Sequence, residues 1–139
     1  AFIMYDLLKE VIKNGTARKA KTLKRPDIAG KTGTTNDLMD AWFAGFNSDI
    51  VTVTWMGYDQ PKSLGNKETG SRAALPIWID YMRPLLKDYP IKNLVKPEGI
   101  IPYKINKKTG MTNNADENGF YEYFYEEYPP FDNSYFVIN

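Results

Sequence analysis

Three strand-like stretches joined by very short connections constrain this chain more than any other feature. Residues 28–35, 41–46 and 50–58 are rich in β-branched and aromatic side chains, and the third (Ile-Val-Thr-Val-Thr-Trp-Met-Gly-Tyr) is the strongest of them. Between them lie only residues 36–40 and 47–49, both turn-rich. A parallel crossover takes about a dozen residues or more, so these linkers predict an antiparallel meander.

Helical patterns flank the strands. In residues 1–14, Met4, Leu7, Leu8, Val11 and Ile12 recur at helical spacing with Lys9, Glu10 and Lys13 between them. Asn14-Gly15 supplies a stop. Residues 15–27 read as basic and irregular, and Arg25-Pro26 disfavours helix. After a polar loop over 59–70, a second helix is expected over 71–88, with Ala74, Leu75, Trp78, Ile79, Met82 and Leu86 as its apolar stripe. Pro76 suits the start of that helix, and Pro84 should kink or end it. Helix, three strands, helix predicts an α+β fold: an antiparallel sheet with both helices packed on one face.

The character changes after Pro90. Residues 97–99 read as a linker, 100–105 as a short strand and 107–114 as a turn. The rest is acidic and aromatic, with Tyr121, Tyr123, Phe124, Tyr125 and Tyr128 among Asp116, Glu117, Glu122, Glu126, Glu127 and Asp132. Two regions follow: 1–95 as the main domain, and 96–139 as an extension that forms either a short hairpin or a mobile tail.

Composition excludes several chemistries. The chain has neither cysteine nor histidine. That removes disulfides, thiol nucleophiles, the usual zinc sites and any Ser-His-Asp triad, and no cofactor is called for. Net charge is +1, so the overall balance points to neither nucleic acid nor membrane as a partner. The cluster Lys9, Lys13, Arg18, Lys19, Lys21, Lys24, Arg25 and Lys31 reads as a solvated face. No apolar run approaches the roughly 20 residues that span a bilayer, so no membrane contact is expected from this segment. Ala1 begins in mid-pattern, which suggests a start inside a longer protein.

Chemistry concentrates in Lys31-Thr32-Gly33-Thr34-Thr35. A cation, hydroxyls and a glycine on a strand suit an anionic substrate undergoing acyl transfer. The tripeptide alone is a weak signal, because Lys108-Thr109-Gly110 repeats it among turn residues. Plain readings also exist. Lys31 can be an edge-strand lysine that discourages aggregation. Thr32 and Thr34 suit any strand, and Gly33 can mark a bulge. Asp37 and Asp40 read as turn residues, and Trp42, Trp55 and Trp78 as core rather than sugar-stacking platforms. Thr16-Ala17-Arg18-Lys19 has T-x-x-K spacing, but it follows a helix end where a nucleophile should open one.

In context the motif resembles the third motif of serine penicillin-binding proteins and β-lactamases. Around it, Gly15-Thr16-Ala17, the run Arg25-Pro26-Asp27-Ile28-Ala29-Gly30 before Lys31, Asp40-Ala41-Trp42-Phe43-Ala44-Gly45-Phe46 and Trp55-Met56-Gly57-Tyr58-Asp59 resemble the end of a class A, bifunctional penicillin-binding protein. Ala74-Leu75-Pro76-Ile77-Trp78 with Tyr81-Met82 is similar to that family's C-terminal helix. The match is good over residues 1–88 and weak over the extension.

The resemblance implies a penicillin-binding-protein-like transpeptidase fold, of which 1–95 is the C-terminal part. It implies that Lys31 is a catalytic cation near the nucleophile and the substrate carboxylate. Thr32 and Thr34 would hold that carboxylate, and Gly33 would let substrate approach the backbone. The Thr34 N–H would be an oxyanion-hole donor. The implied partners are the D-Ala-D-Ala stem peptide of peptidoglycan, β-lactam antibiotics and the remainder of the parent polypeptide. The implied location is extracytoplasmic, in a parent anchored to the inner membrane that also carries a glycosyltransferase.

The family's nucleophile is the serine of S-x-x-K. Here Ser48, Ser63, Ser71 and Ser134 are followed three places on by Val51, Asn66, Ala74 and Val137. No Ser-x-Asn occurs either, since Ile50, Gly65, Ala73 and Phe136 hold the third places. The resemblance therefore implies a chain inactive by itself. Two alternatives share the motif: a β-lactamase or D,D-carboxypeptidase fragment, and a non-catalytic β-lactam- or peptidoglycan-binding module.

Overall fold

The structure, a computed structural model, describes residues 1–112 and 118–130. The end of the expected 107–114 turn and the acidic residues Asp116, Glu117 and Asp132 lie outside the described residues. Backbone contacts divide the chain into a first unit, Ala1–Leu94, and a second that begins at Val95.

In the first unit, helix α1 (Phe2–Lys13) leads into a 3₁₀ helix (Arg18–Leu23). Strands β1 (Ala29–Thr34), β2 (Ala41–Phe46) and β3 (Val51–Met56) follow. A π-type turn (Gly70–Ala74) then opens helix α2 (Leu75–Leu85). The strands are antiparallel in the order β1-β2-β3, the meander that the short linkers predict. β1 and β3 therefore each pair on one side only within this sheet. The Lys31↔Ala44 and Gly33↔Trp42 pairs set the register of β1, and Trp42↔Trp55 that of β3.

The first tight connection is held by hydroxyl chemistry. Thr35 Oγ1 accepts the N–H groups of Met39 (3.0 Å) and Asp40 (2.8 Å). In the second connection, Asn47 Oδ1 accepts from Asp49 (3.0 Å) and Ile50 (2.8 Å). Side-chain acceptors of this kind replace backbone partners and close short turns.

One core lies on the sheet face that carries Ala41 and Phe43. Both are fully buried, and α2 covers them with Leu75, Trp78, Ile79 and Met82. The Phe43 and Trp78 rings meet edge-on at 5.0 Å, and Trp78 Nε1 donates to Thr52 O at 3.1 Å, so the buried indole keeps its polar atom paired. Ile12 of α1 joins the same cluster, so both helices contribute to one core. The stripe expected for α2 is buried throughout. Pro76 sits in its first turn, where no N–H is needed, and the helix ends one residue after Pro84.

Three expectations need correction. Trp42 and Trp55 are not core: they are 42% and 46% exposed. Strand side chains alternate, so a β2 that buries Ala41 and Phe43 must turn Trp42 to the other face, and the register sets Trp55 beside it with ring centroids 6.0 Å apart. The buried face of α1 is also turned from the expected stripe. Tyr5 and Ile12 are buried while Met4 and Leu7 are exposed. The Tyr5 hydroxyl donates to Asp27 O at 3.1 Å, which draws that side of the helix inward. Finally, residues 18–23 are not irregular but form a 3₁₀ helix, anchored by the buried Ala17 and Ala20.

In the second unit, β4 (Ile100–Ile105) and β5 (Phe120–Tyr125) pair antiparallel as a hairpin. Tyr103 and Phe124 pack across it, with ring centroids 5.9 Å apart. The second Lys-Thr-Gly falls between these strands in a turn. Asn106 Oδ1 accepts from Lys108 (2.8 Å) and Thr109 (3.0 Å), and Gly110 has φ +71°.

Candidate active-site strand

β1 carries Lys31, Thr32, Gly33 and Thr34 on a strand at one end of the sheet order. Alternation splits them. Lys31 and Gly33 share the face of Ala44 and Trp42, while Thr32 and Thr34 share the opposite one. Lys31 is exposed, and its Nζ donates to Thr32 O at 2.9 Å. Its ammonium thus lies along the strand rather than in a buried ion pair.

Each threonine hydroxyl has a partner from a distant part of the chain. Thr32 Oγ1 lies 2.8 Å from Thr16 Oγ1, just beyond the end of α1. Thr34 Oγ1 accepts the Gly70 N–H at 3.0 Å, from the turn that opens α2. Neither Thr16 nor Gly70 stands out in the sequence as a neighbour of the motif. The T-x-x-K spacing draws attention to Thr16 for a different reason, as an unsuitable nucleophile, and only the fold brings it beside Thr32. Gly70 is hidden at the end of a polar loop.

Glycines make the close approach. Gly70 is buried, and a Cβ there would run into Trp42 O and come within 2.5 Å of Gly33 O and 3.1 Å of Gly33 N. These are backbone atoms of the paired strands, which cannot swing aside as a side chain can. Gly70→Ala is therefore expected to displace β1 or the π-type turn and to destabilise by about 1–3 kcal/mol, as overpacking does. Equilibrium denaturation measures the loss; an unchanged midpoint would show that the turn yields freely. At Gly33 a Cβ would sit 3.2 Å from Trp42 Cβ, so the bare backbone also keeps this part of the strand slim.

The entry to β1 is clamped. Arg25 Nε and Nη2 grip the fully buried Asp27 carboxylate at 2.8 and 2.6 Å. The same guanidinium donates to the carbonyls of Leu86 (2.8 Å), Tyr89 (2.7 Å) and Pro90 (3.1 Å), just past α2. Burial pushes the Asp27 carboxyl up, but the Arg25 hydrogen bonds and the Lys92 N–H (3.3 Å) outweigh it and hold it below the usual carboxylate range. Asp40, at the far end of the β1–β2 turn, accepts the Trp55 indole N–H at 2.9 Å. A carboxylate thus anchors the entry to β1, and another ties the far end of the β1–β2 turn to β3. Among the described residues no cluster suits a metal ion, and no helix is long and apolar enough to cross a membrane.

Comparison with known proteins gives this arrangement a family: the chain belongs to the penicillin-binding proteins. It is 50% identical over 131 residues to penicillin-binding protein 1A of Pseudomonas aeruginosa, covering 94% of this chain and 16% of that protein. Identity to penicillin-binding protein 1A of Neisseria lactamica is 52% over 101 residues, covering 73% of this chain and 13% of that protein. The crystal structure of penicillin-binding protein 1A from Haemophilus influenzae matches with a TM-score of 0.85 at 36% identity, over 94% of this chain and 20% of that one. No family model matches. The chain spans 16% and 13% of the length of these two curated relatives.

Proposed function

We propose that this chain is the C-terminal part of the transpeptidase domain of a class A penicillin-binding protein, and that it supplies one wall of the active site. The longer protein cross-links peptidoglycan. Its serine attacks the penultimate D-Ala carbonyl of a D-Ala-D-Ala stem peptide, the terminal D-Ala leaves, and the acyl group passes to an amine of a neighbouring strand. β-Lactams acylate the same serine. The longer protein is extracytoplasmic, anchored to the inner membrane, and carries a glycosyltransferase as well.

In this reading Lys31 sets a cation beside the nucleophile and aids proton transfer. The Thr32 and Thr34 hydroxyls bind the substrate carboxylate, and the Thr34 N–H is one oxyanion donor, a type of contact worth about 2.7–4 kcal/mol where it has been removed. The observation that carries the reading is the position of Lys31, Thr32, Gly33 and Thr34 on a strand at the end of the sheet, with each hydroxyl already held from behind by Thr16 or Gly70.

A fluorescent penicillin tests it. The longer protein is expected to label at a serine outside these 139 residues, and the isolated chain not at all. Labelling of the isolated chain would overturn the assignment of the nucleophile to another part of the protein.

A further inference from the structure

We propose that Thr16 is a positioning residue for the Thr32 hydroxyl, and that through it the site selects acyl donors bearing a free carboxylate. This rests on the reading of β1 given under Proposed function. A threonine hydroxyl has one proton and two lone pairs, and it rotates to suit its neighbours. Left alone on a strand, the Thr32 proton has no fixed direction. Thr16 Oγ1 at 2.8 Å gives it a partner on the protein side. When a carboxylate oxygen approaches, Thr32 donates to it and accepts from Thr16. The two bonds then polarise in one direction, and each strengthens the other.

Thr34 has the same design with a different donor. A backbone N–H can only donate, so the Gly70 N–H occupies a lone pair of Thr34 Oγ1 and leaves that hydroxyl proton for an outside acceptor. The two hydroxyls stand two residues apart on one face of β1, each backed by a group from another element. Thr34 is thereby set to donate, and Thr32 is set to donate when Thr16 supplies the proton of their shared bond.

Thr16 is placed for this work. Its neighbour Ala17 is fully buried, and the Ala17 N–H donates to Val11 O at 3.1 Å. On the other side, the Gly15 N–H donates to Glu10 O at 3.1 Å, and Gly15 lies so close to α1 that a Cβ would sit 2.8 Å from Val11 Cα. The residues on both sides are fixed to the end of α1, while the Thr16 side chain itself is exposed. Its hydrogen bond to Thr32 therefore adds little to stability and has a directional use.

The test compares Thr16→Val and Thr16→Ser with the wild type in the full-length protein. The rate of acylation is measured with a fluorescent penicillin carrying its free carboxylate and with the methyl ester of the same compound. Thr16→Val is expected to slow the carboxylate form by about three- to tenfold, the scale of one hydrogen bond, and to leave the ester rate nearly unchanged. Thr16→Ser restores the preference. An equal fall for both compounds, or no fall for either, would overturn the role of Thr16 while leaving β1 as the substrate strand. A wild-type protein that neither compound acylates would overturn the reading of β1 itself.

Discussion

Replacing Arg25 with alanine is expected to lower the unfolding free energy of the Ala1–Leu94 unit by about 3–5 kcal/mol, the scale of removing one partner from a buried ion pair. Asp27 is fully buried, and Arg25 makes two of its carboxylate contacts. The same change also leaves the carbonyls of Leu86, Tyr89 and Pro90 without their guanidinium donor. Denaturant unfolding followed by tryptophan fluorescence reports on this unit alone, because Trp42, Trp55 and Trp78 all lie within it.

The pH dependence has a definite sign. In the wild type the Asp27 pKa is held below its ordinary value, so the folded state binds fewer protons than the unfolded state in that range. The stabilisation is complete above the unfolded carboxylate pKa of about 4 and is lost as pH falls through the lower folded value. In Arg25→Ala, burial is left as the main influence on Asp27 and raises its pKa. The gap between variant and wild type is therefore widest near neutral pH and narrows in acid. A gap that stays constant from neutral pH to pH 3 would mean that the charge on Asp27 is not what Arg25 supports.

Most of the meander was legible because it depends on local signals. Strand composition, two short linkers and the apolar period of α2 each act over a few residues, and β2 and β4 fall at their expected bounds. Burial of the α2 stripe follows from the same periodicity. Tryptophan placement was not legible from residue type. Trp78 is core and Trp42 is not, because the strand's alternation had already assigned the inner face to Ala41 and Phe43. The strand that carries Lys31 to Thr34 was legible from its motif, but the groups that hold it were not. Thr16 lies 16 residues before Thr32 and Gly70 lies 36 after Thr34, and no local rule links positions so far apart. The two copies of Lys-Thr-Gly make the same point. Lys31 to Gly33 lies in a strand, while Asn106 draws Lys108 to Gly110 into a turn.

On the proposed reading, Lys31→Ala in the full-length protein lowers the β-lactam acylation rate by about 10²–10⁴-fold, the usual contribution of one positioned acid–base group. Stability should stay within roughly 0.5 kcal/mol, because Lys31 is exposed and its Nζ bonds to the carbonyl of its own neighbour. That separation distinguishes Lys31 from Arg25, whose loss acts through folding. Lys31→Arg then divides the two roles given to the lysine. Arginine keeps the positive charge and can still attract the substrate carboxylate, but it does not give up its proton in a protein. If Lys31 acts only as an electrostatic anchor, the arginine variant retains most of the wild-type rate. If it also moves a proton between nucleophile and leaving group, the arginine variant is nearly as slow as the alanine one while still favouring the free penicillin over its ester. Wild-type acylation by Lys31→Ala would remove Lys31 from the chemistry and leave it as the exposed lysine of an edge strand.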